Sequence, residues 1–321
     1  MLKFLIKVKQ LIKNINKQGP ILILLLLIIF AAIRYDYFGT WKNISNIFRQ
    51  VSMIGLCAVG VTFVIISGGF DLSVASMAVL SGCAAAVLGN NILIAIAAPL
   101  LIGIMGGLLN GLIVTKIKVV PFITTLSTSM VFKGIALLLT NSKSTPIQTG
   151  IASRFAVLGQ GNIMGIPIPT IIFIIICCIA VYISRYTKFG RHVYAVGANE
   201  SASRSMGVRA DRVKLIVYTI SGFTASLAGL ILASRLNAGQ PTGANNWEMN
   251  ALMATIIGGT LSTGGVGKFQ GTFIGVLLLG FIQNILNMEG TLSSWWQDII
   301  MGTLLVLVIV LQRNEQRTLF K

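Results

Sequence analysis

Acidic side chains are scarce in this chain. Its 321 residues carry 8 Asp and Glu against 25 Lys and Arg, with one His and 4 Cys. Each scarcity closes off a class of function. His192 has no Cys or carboxylate at a spacing that suggests a triad or a metal site, so no catalytic set emerges and a solvated loop position is expected for it. Cys57, Cys83, Cys177 and Cys178 fall in apolar segments, where thiols behave as small hydrophobes, which predicts neither a disulfide nor a zinc site. A proton-coupled carrier usually buries several ionisable groups, and only Asp71 and Asp298 are placed to reach membrane depth, which argues against one. A cofactor motif is also missing. Gly267-Lys268 invites a phosphate-loop reading of Gly258 to Gly271, but Phe269 stands where Ser or Thr is needed and Ser262 where the first Gly is needed. A flexible turn between two spans is the expectation there, and the chain is expected to be no enzyme and to hold no cofactor.

What is present is apolar. Hydrophobic residues make up 55% of the chain and charged residues 10%, against about 25% charged in soluble domains. Crossing the hydrocarbon core takes about 20 mostly apolar residues, and 92–114 and 167–183 do so without a charge. The fold class expected is an all-α polytopic membrane protein of about ten transmembrane helices, near 20–38, 44–66, 71–88, 92–114, 120–140, 167–184, 213–234, 248–261, 269–287 and 292–311. The third and eighth are short. A formal charge of +17 raises the question of nucleic acid, but the distribution of the basic residues answers it. They gather in 1–19, 115–119, 185–212, 262–268 and 312–321, which the positive-inside rule places in the cytoplasm together with both termini. Partnership with nucleic acid is therefore not expected.

Three regions follow: a basic segment over 1–19, a membrane domain over 20–311 with a cytoplasmic loop at 185–212, and a tail over 312–321. Lys3, Lys7, Lys9, Lys13 and Lys17 precede an apolar run, so a signal peptide is one reading of the start. The run from Ile21 to Ile33 lacks a small-residue cleavage site, which favours an uncleaved helix, with 2–17 lying on anionic lipid. Trp41, Trp295 and Trp296 fall at outer interfaces. Gly103, Gly107 and Gly111 make a small-residue face, as do Gly222 with Ser226, Ala225 with Gly229, and Gly271 with Gly275, and tight helix packing accounts for them.

Four features remain as candidates for function. In Ser67-Gly68-Gly69-Phe70-Asp71-Leu72-Ser73 one helix stops and another starts, and Asp71 is placed either to cap the next helix or to line a transport path. Thr124, Thr125, Ser127, Thr128 and Ser129 make the fifth helix polar, so that it either lines a pore for a polyol, with Asn110 on the preceding helix, or satisfies its own carbonyls. In the long loop Asn199 caps a short helix running through Met206, and Gly207 ends it, giving an extramembrane helix suited to a partner's groove. The fourth is the glycine-rich turn already described.

In this order, "GGFDLSVAS", "NGLIVTKIKVVPFITTLST", "YAVGANESASRSMGV" and "IIGGTLSTGGVGKFQGT" resemble the membrane permease of bacterial ABC importers for ribose and related monosaccharides, over about residues 44 to 311. The resemblance implies a multi-pass protein of the bacterial cytoplasmic membrane that pairs with a second permease subunit, identical or related, around a central path. It also implies cytoplasmic ATP-binding subunits and a periplasmic or lipid-anchored sugar-binding protein as partners. The ATPase-coupling role falls on Gly197, Asn199, Glu200, Ala202 and Gly207. The candidate path takes Asp71, Ser73, Asn110, Thr124, Thr125, Ser127, Thr128 and Asn284. Phe70 replaces the family's usual Ile, Ala75 its usual Gly, and Ile285 stands where Gly is frequent. Alternating access driven by the ATPase is the implied mechanism; a self-sufficient carrier or channel is the other class.

Overall fold

The computed structural model describes residues 20–290 and, beyond them, 296, 299, 300, 302, 303 and 306. The basic segment at 1–19, most of the span at 292–311 with Trp295 and Asp298, and the tail at 312–321 lie outside the described residues.

Helices dominate: α1 Pro20–Arg34, α2 Trp41–Ile66, α3 Val74–Leu88, α4 Ile92–Leu112, α5 Pro121–Leu139, α6 Thr149–Gln160, α7 Ile168–Tyr186, α8 Lys188–Ala198, α9 Glu200–Ser205, α10 Ala210–Leu236, α11 Trp247–Ile257 and α12 Phe269–Glu289. Among the described residues six are long and apolar enough to cross a membrane: α2, α4 with its extension to Ile117, α5, α7, α10 and α12. The chain is thus a multi-pass membrane protein. The expected first, third and eighth spans correspond to α1, to α3 of 15 residues and to α11 of 11, none of which is among the six helices long and apolar enough to cross.

Local chemistry sets the helix ends. Asn91 accepts the Ile94 amide at 2.9 Å to start α4, and Pro121 opens α5 at its first turn, where a missing N–H costs nothing. The end of α4 loosens into a π-helical turn over Ile113–Ile117 and stops at Lys118, which adopts a left-handed conformation. Two regions differ from the sequence expectation. The segment between the fifth and sixth spans builds α6, the β2 (Asn162–Ile163) and β3 (Ile166–Pro167) ladder, and the strand β1 (Thr145–Pro146), which pairs with β4 (Ala238–Gly239) just after α10. The 185–212 loop is mostly helix, because α7 passes through a single residue, Thr187, into α8.

The bundle is built around α2 and α10. In their most apolar stretches 83% and 67% of residues are buried, against 28% in α4 and α5, so the first pair is core and the second faces outward. Close packing runs through the expected glycines. Any Cβ on Gly103 or Gly107 would strike the α10 backbone at Gly222 or Tyr218, Gly229 lies on the Ala78 carbonyl of α3, and Gly271 and Gly275 lie on Gly258 and Ala254. Without water to expel between helices, contact at this range gathers the dispersion that holds them together.

Candidate functional site

Asp71 is 1% exposed and its carboxylate is fully engaged. Oδ1 accepts the Ser73 amide at 2.9 Å and the Ser73 hydroxyl at 2.6 Å, and Oδ2 accepts the Ser221 hydroxyl of α10 at 2.6 Å. Asn110 of α4 donates to Ser73 Oγ at 2.8 Å. One buried carboxylate therefore ties the break between α2 and α3 to α10 and, through Ser73, to α4. The N-cap of α3 is Ser73, with no side-chain capping bond, so Asp71 braces the turn before the helix instead of capping its first residues. Beside it the Phe70 carbonyl accepts from Tyr218 of α10 at 3.1 Å and, more distantly, from Thr125 of α5 at 3.4 Å.

At the C-terminal end of α2, beside the same break, three glycine segments meet. The Gly265 amide donates to the Ile66 carbonyl at 2.9 Å. Gly197, near the end of α8, lies over the same carbonyl so closely that a Cβ would collide with the oxygen. Gly264 and Gly265 both have positive φ, and a Cβ on Gly264 would come within 2.9 Å of the Gly68 Cα. Tyr194 of α8 adds a hydrogen bond to the Gly267 carbonyl at 2.8 Å. The segment expected to be a flexible turn is thus a built junction, closed also by Leu261 and Val266 and by Gly264 and Leu261. Only residues without a Cβ let three backbones approach this closely.

From this junction the chain runs directly into α9. Asn199 Oδ1 accepts the Ala202 amide at 2.9 Å, and Gly207 has φ +84°, the cap and stop expected from the sequence. Glu200 accepts from Arg204 at 2.8 Å and from Lys214 at 2.5 Å. Asp211 accepts from Arg204 at 2.5 Å and from Lys118 at 3.1 Å. Burial pushes the Glu200 carboxyl up, but donation from Lys214 and Arg204 outweighs it and holds the group below its ordinary value. Ala202 lies near the middle of α9, and Met206 beyond it is exposed.

The remaining predicted residues separate. Thr124, Thr125 and Thr128 share the buried face of α5, whereas Ser127 is exposed on another face. Thr125 returns its hydroxyl to Pro121 at 3.0 Å and Thr128 to Thr125 at 3.3 Å; Thr124 Oγ1 and Asn110 Oδ1 have no partner among the described residues. Asn284 bonds Asn43 near the start of α2, at 2.8 and 3.2 Å, at the opposite end of that helix from Asp71. His192 is exposed, on helix α8 instead of in a loop. Sequence reasoning missed α8, with Tyr194, and the partners Tyr218 and Ser221 on α10. A signal for α8 existed: Gly190, Val193 and Val196 recur at helical spacing and form its buried side.

Against this geometry, a family model described as branched-chain amino acid transport system / permease component matches residues 43–309. The chain belongs to this permease family. The permease is 41% identical to the ribose import permease protein RbsC of Haemophilus influenzae, over 94% of this chain and 93% of that protein. It is 40% identical to the ribose import permease protein RbsC of Bacillus subtilis, with 94% of each covered, and 34% identical to the L-arabinose transport system permease protein AraH of Escherichia coli, with 94% and 92% covered. No solved structure matches the permease at a significant level.

Proposed function

We propose that this permease forms the membrane path of an ATP-binding-cassette importer for a monosaccharide of the pentose class. The observation that carries the reading is the glycine junction: a small capped helix outside the spans is continuous with α8, and α8 lies on both helix breaks. A push on α9 therefore reaches the α2–α3 break through Gly68 and the α11–α12 break through Gly264 and Gly265 without crossing a flexible linker. Gly197, Asn199, Glu200, Ala202 and Gly207 are the contact and relay for cytoplasmic ATPase subunits, and alternating access is the response of the bundle. In this reading the α8–α9 end faces the cytoplasm of a bacterial inner membrane. A second permease subunit completes the path, and an exported binding protein delivers sugar to the other end.

Asp71 and Ser73 act as a brace in this scheme, since their hydrogen-bonding capacity is used within the protein. Asn110 and Thr124, each with a buried oxygen that has no partner among the described residues, are better suited to contact a passing polyol. The family description names branched-chain amino acids, while the relatives matching over nearly their whole length are sugar permeases by name, and this favours sugar. The test is reconstitution of the chain with its ATPase and binding protein in liposomes. Uptake of labelled ribose, arabinose or xylose that requires ATP on the α9 side is the expected result. Uptake by the chain alone under an ion gradient would overturn it in favour of a self-sufficient carrier.

A further inference from the structure

At the end of the bundle opposite α8 and α9 a cavity of about 300 Å³ opens between α2, α11 and the C-terminal turns of α10 and α12. Its wall includes Gln50, Arg235, Asn245, Trp247, Asn250 and Gln283. The size lies at the small end of small-molecule sites, about 300–1,000 Å³.

Many polar groups in the bundle are closed on one another, as Thr62 is with Thr255 and Thr272 at 3.2 and 2.9 Å or Asn43 with Asn284. Two amides of the cavity wall are not. Asn250 is 8% exposed, lines the cavity, and its amide has no hydrogen-bond partner among the described residues. Gln283, half-buried, is in the same position, and Arg235 faces no carboxylate at ion-pair distance among them. Neither amide is sealed off from the cavity, which both line, so these groups fit an occupant that supplies donors and acceptors there in place of water. A carboxylamide both donates and accepts, which matches hydroxyl groups. Arg235 offers a fork of donors to adjacent oxygens, and the Trp247 ring offers an apolar face. Among the described residues no acidic side chain lines the wall, so a cationic occupant is disfavoured.

We propose that this cavity is a monosaccharide-binding vestibule, a neutral-polyol site in which Asn250 and Gln283 hydrogen-bond the released sugar before the path opens to the other side. The proposal rests on the sugar-permease reading above.

The experiment uses the full transporter in liposomes. Asn250→Leu keeps the volume and removes the hydrogen bonds. Expected is a fall of about tenfold in maximal ribose uptake, while the half-saturating concentration, set by the binding protein, and the ATP hydrolysis stimulated by loaded binding protein stay within about twofold. Asn250→Ser, which keeps a hydroxyl, restores most of the uptake. If Asn250→Leu does not reach the membrane, Gln283→Leu carries the same expectation. Independently, Gln283→Cys in a Cys178→Ser background is labelled with a water-soluble maleimide: ribose slows labelling and ribonate does not. Wild-type transport with unaltered uptake in both Leu variants overturns the vestibule alone, as does protection by ribonate in preference to ribose. Absence of any pentose uptake by the wild type overturns the permease reading itself.

Discussion

The Gly265 amide donates to the Ile66 carbonyl at 2.9 Å, joining the break after α2 to the break before α12 beneath the end of α8. Gly197 occupies the remaining space over that carbonyl. The Gly197→Ala variant must therefore lift α8 away from Ile66 or break the Gly265 bond. Gly134→Ala, in α5, has open space around its Cβ and serves as the control. Ribose uptake by reconstituted transporter is expected to fall at least about tenfold for Gly197→Ala, with ATP hydrolysis persisting but no longer stimulated by loaded binding protein, and to stay near wild type for Gly134→Ala. Equal activity of the two variants would remove the junction from the coupling path.

The cap on α9 makes a smaller, graded prediction. Asn199→Ala leaves the Ala202 amide unpaired and costs about 1 kcal/mol of local helix stability, while Asn199→Asp keeps the acceptor. Stimulated ATP hydrolysis measured across a titration of ATPase subunit should show weaker coupling for Ala and near-normal coupling for Asp. Identical curves for Ala and wild type would mean that α9 need not be preformed.

The six long spans were legible because a run of about 20 apolar residues has one low-energy fate in lipid, and the shortness of α3 and α11 because Gly68-Gly69 and Gly258-Gly259 interrupt the apolar runs. Asn199 and Gly207 were legible because capping is local. The junction was not. Ile66, Gly197 and Gly265 are remote in sequence, and a glycine selected for close approach carries the same letter as one selected for a turn. The partners of Asp71 were hidden for a like reason, since Ser221 is one of many small polar residues in a span. α8 was hidden by its basic residues, which suggested solvated loop although its buried positions kept helical spacing.

Acid should loosen the attachment of α9. The Glu200 carboxyl is held below its ordinary value by Lys214 and Arg204, against the opposing effect of burial. A depressed carboxyl contributes stability above its unfolded value, near 4.3, and loses it as pH falls through the folded value. Hydrogen exchange of the α9 amides should therefore accelerate below about pH 4.5 beyond its intrinsic dependence. Glu200→Gln should show fast exchange already at neutral pH and no such transition; an unchanged profile in that variant would place the attachment elsewhere.

Asp71 separates a brace from a substrate ligand. Its carboxylate accepts from the Ser73 amide, the Ser73 hydroxyl and the Ser221 hydroxyl. In Asp71→Asn the carbonyl oxygen can keep both Ser73 bonds, and the new NH₂ faces a Ser221 hydroxyl that can turn to accept, so the knot survives with one bond reversed. In Asp71→Ala all three donors lose their acceptor in a buried site, at about 1–3 kcal/mol each. A brace predicts that Asn retains at least about half of the uptake, and that Ala lowers the amount of folded protein by several fold and its thermal midpoint in detergent with it. A carboxylate acting by its charge on a substrate or a proton would instead lose transport in Asn while leaving the thermal midpoint near wild type. Measuring uptake and melting on the same two variants distinguishes the roles, because in the brace the two properties fall together and in the ligand they part.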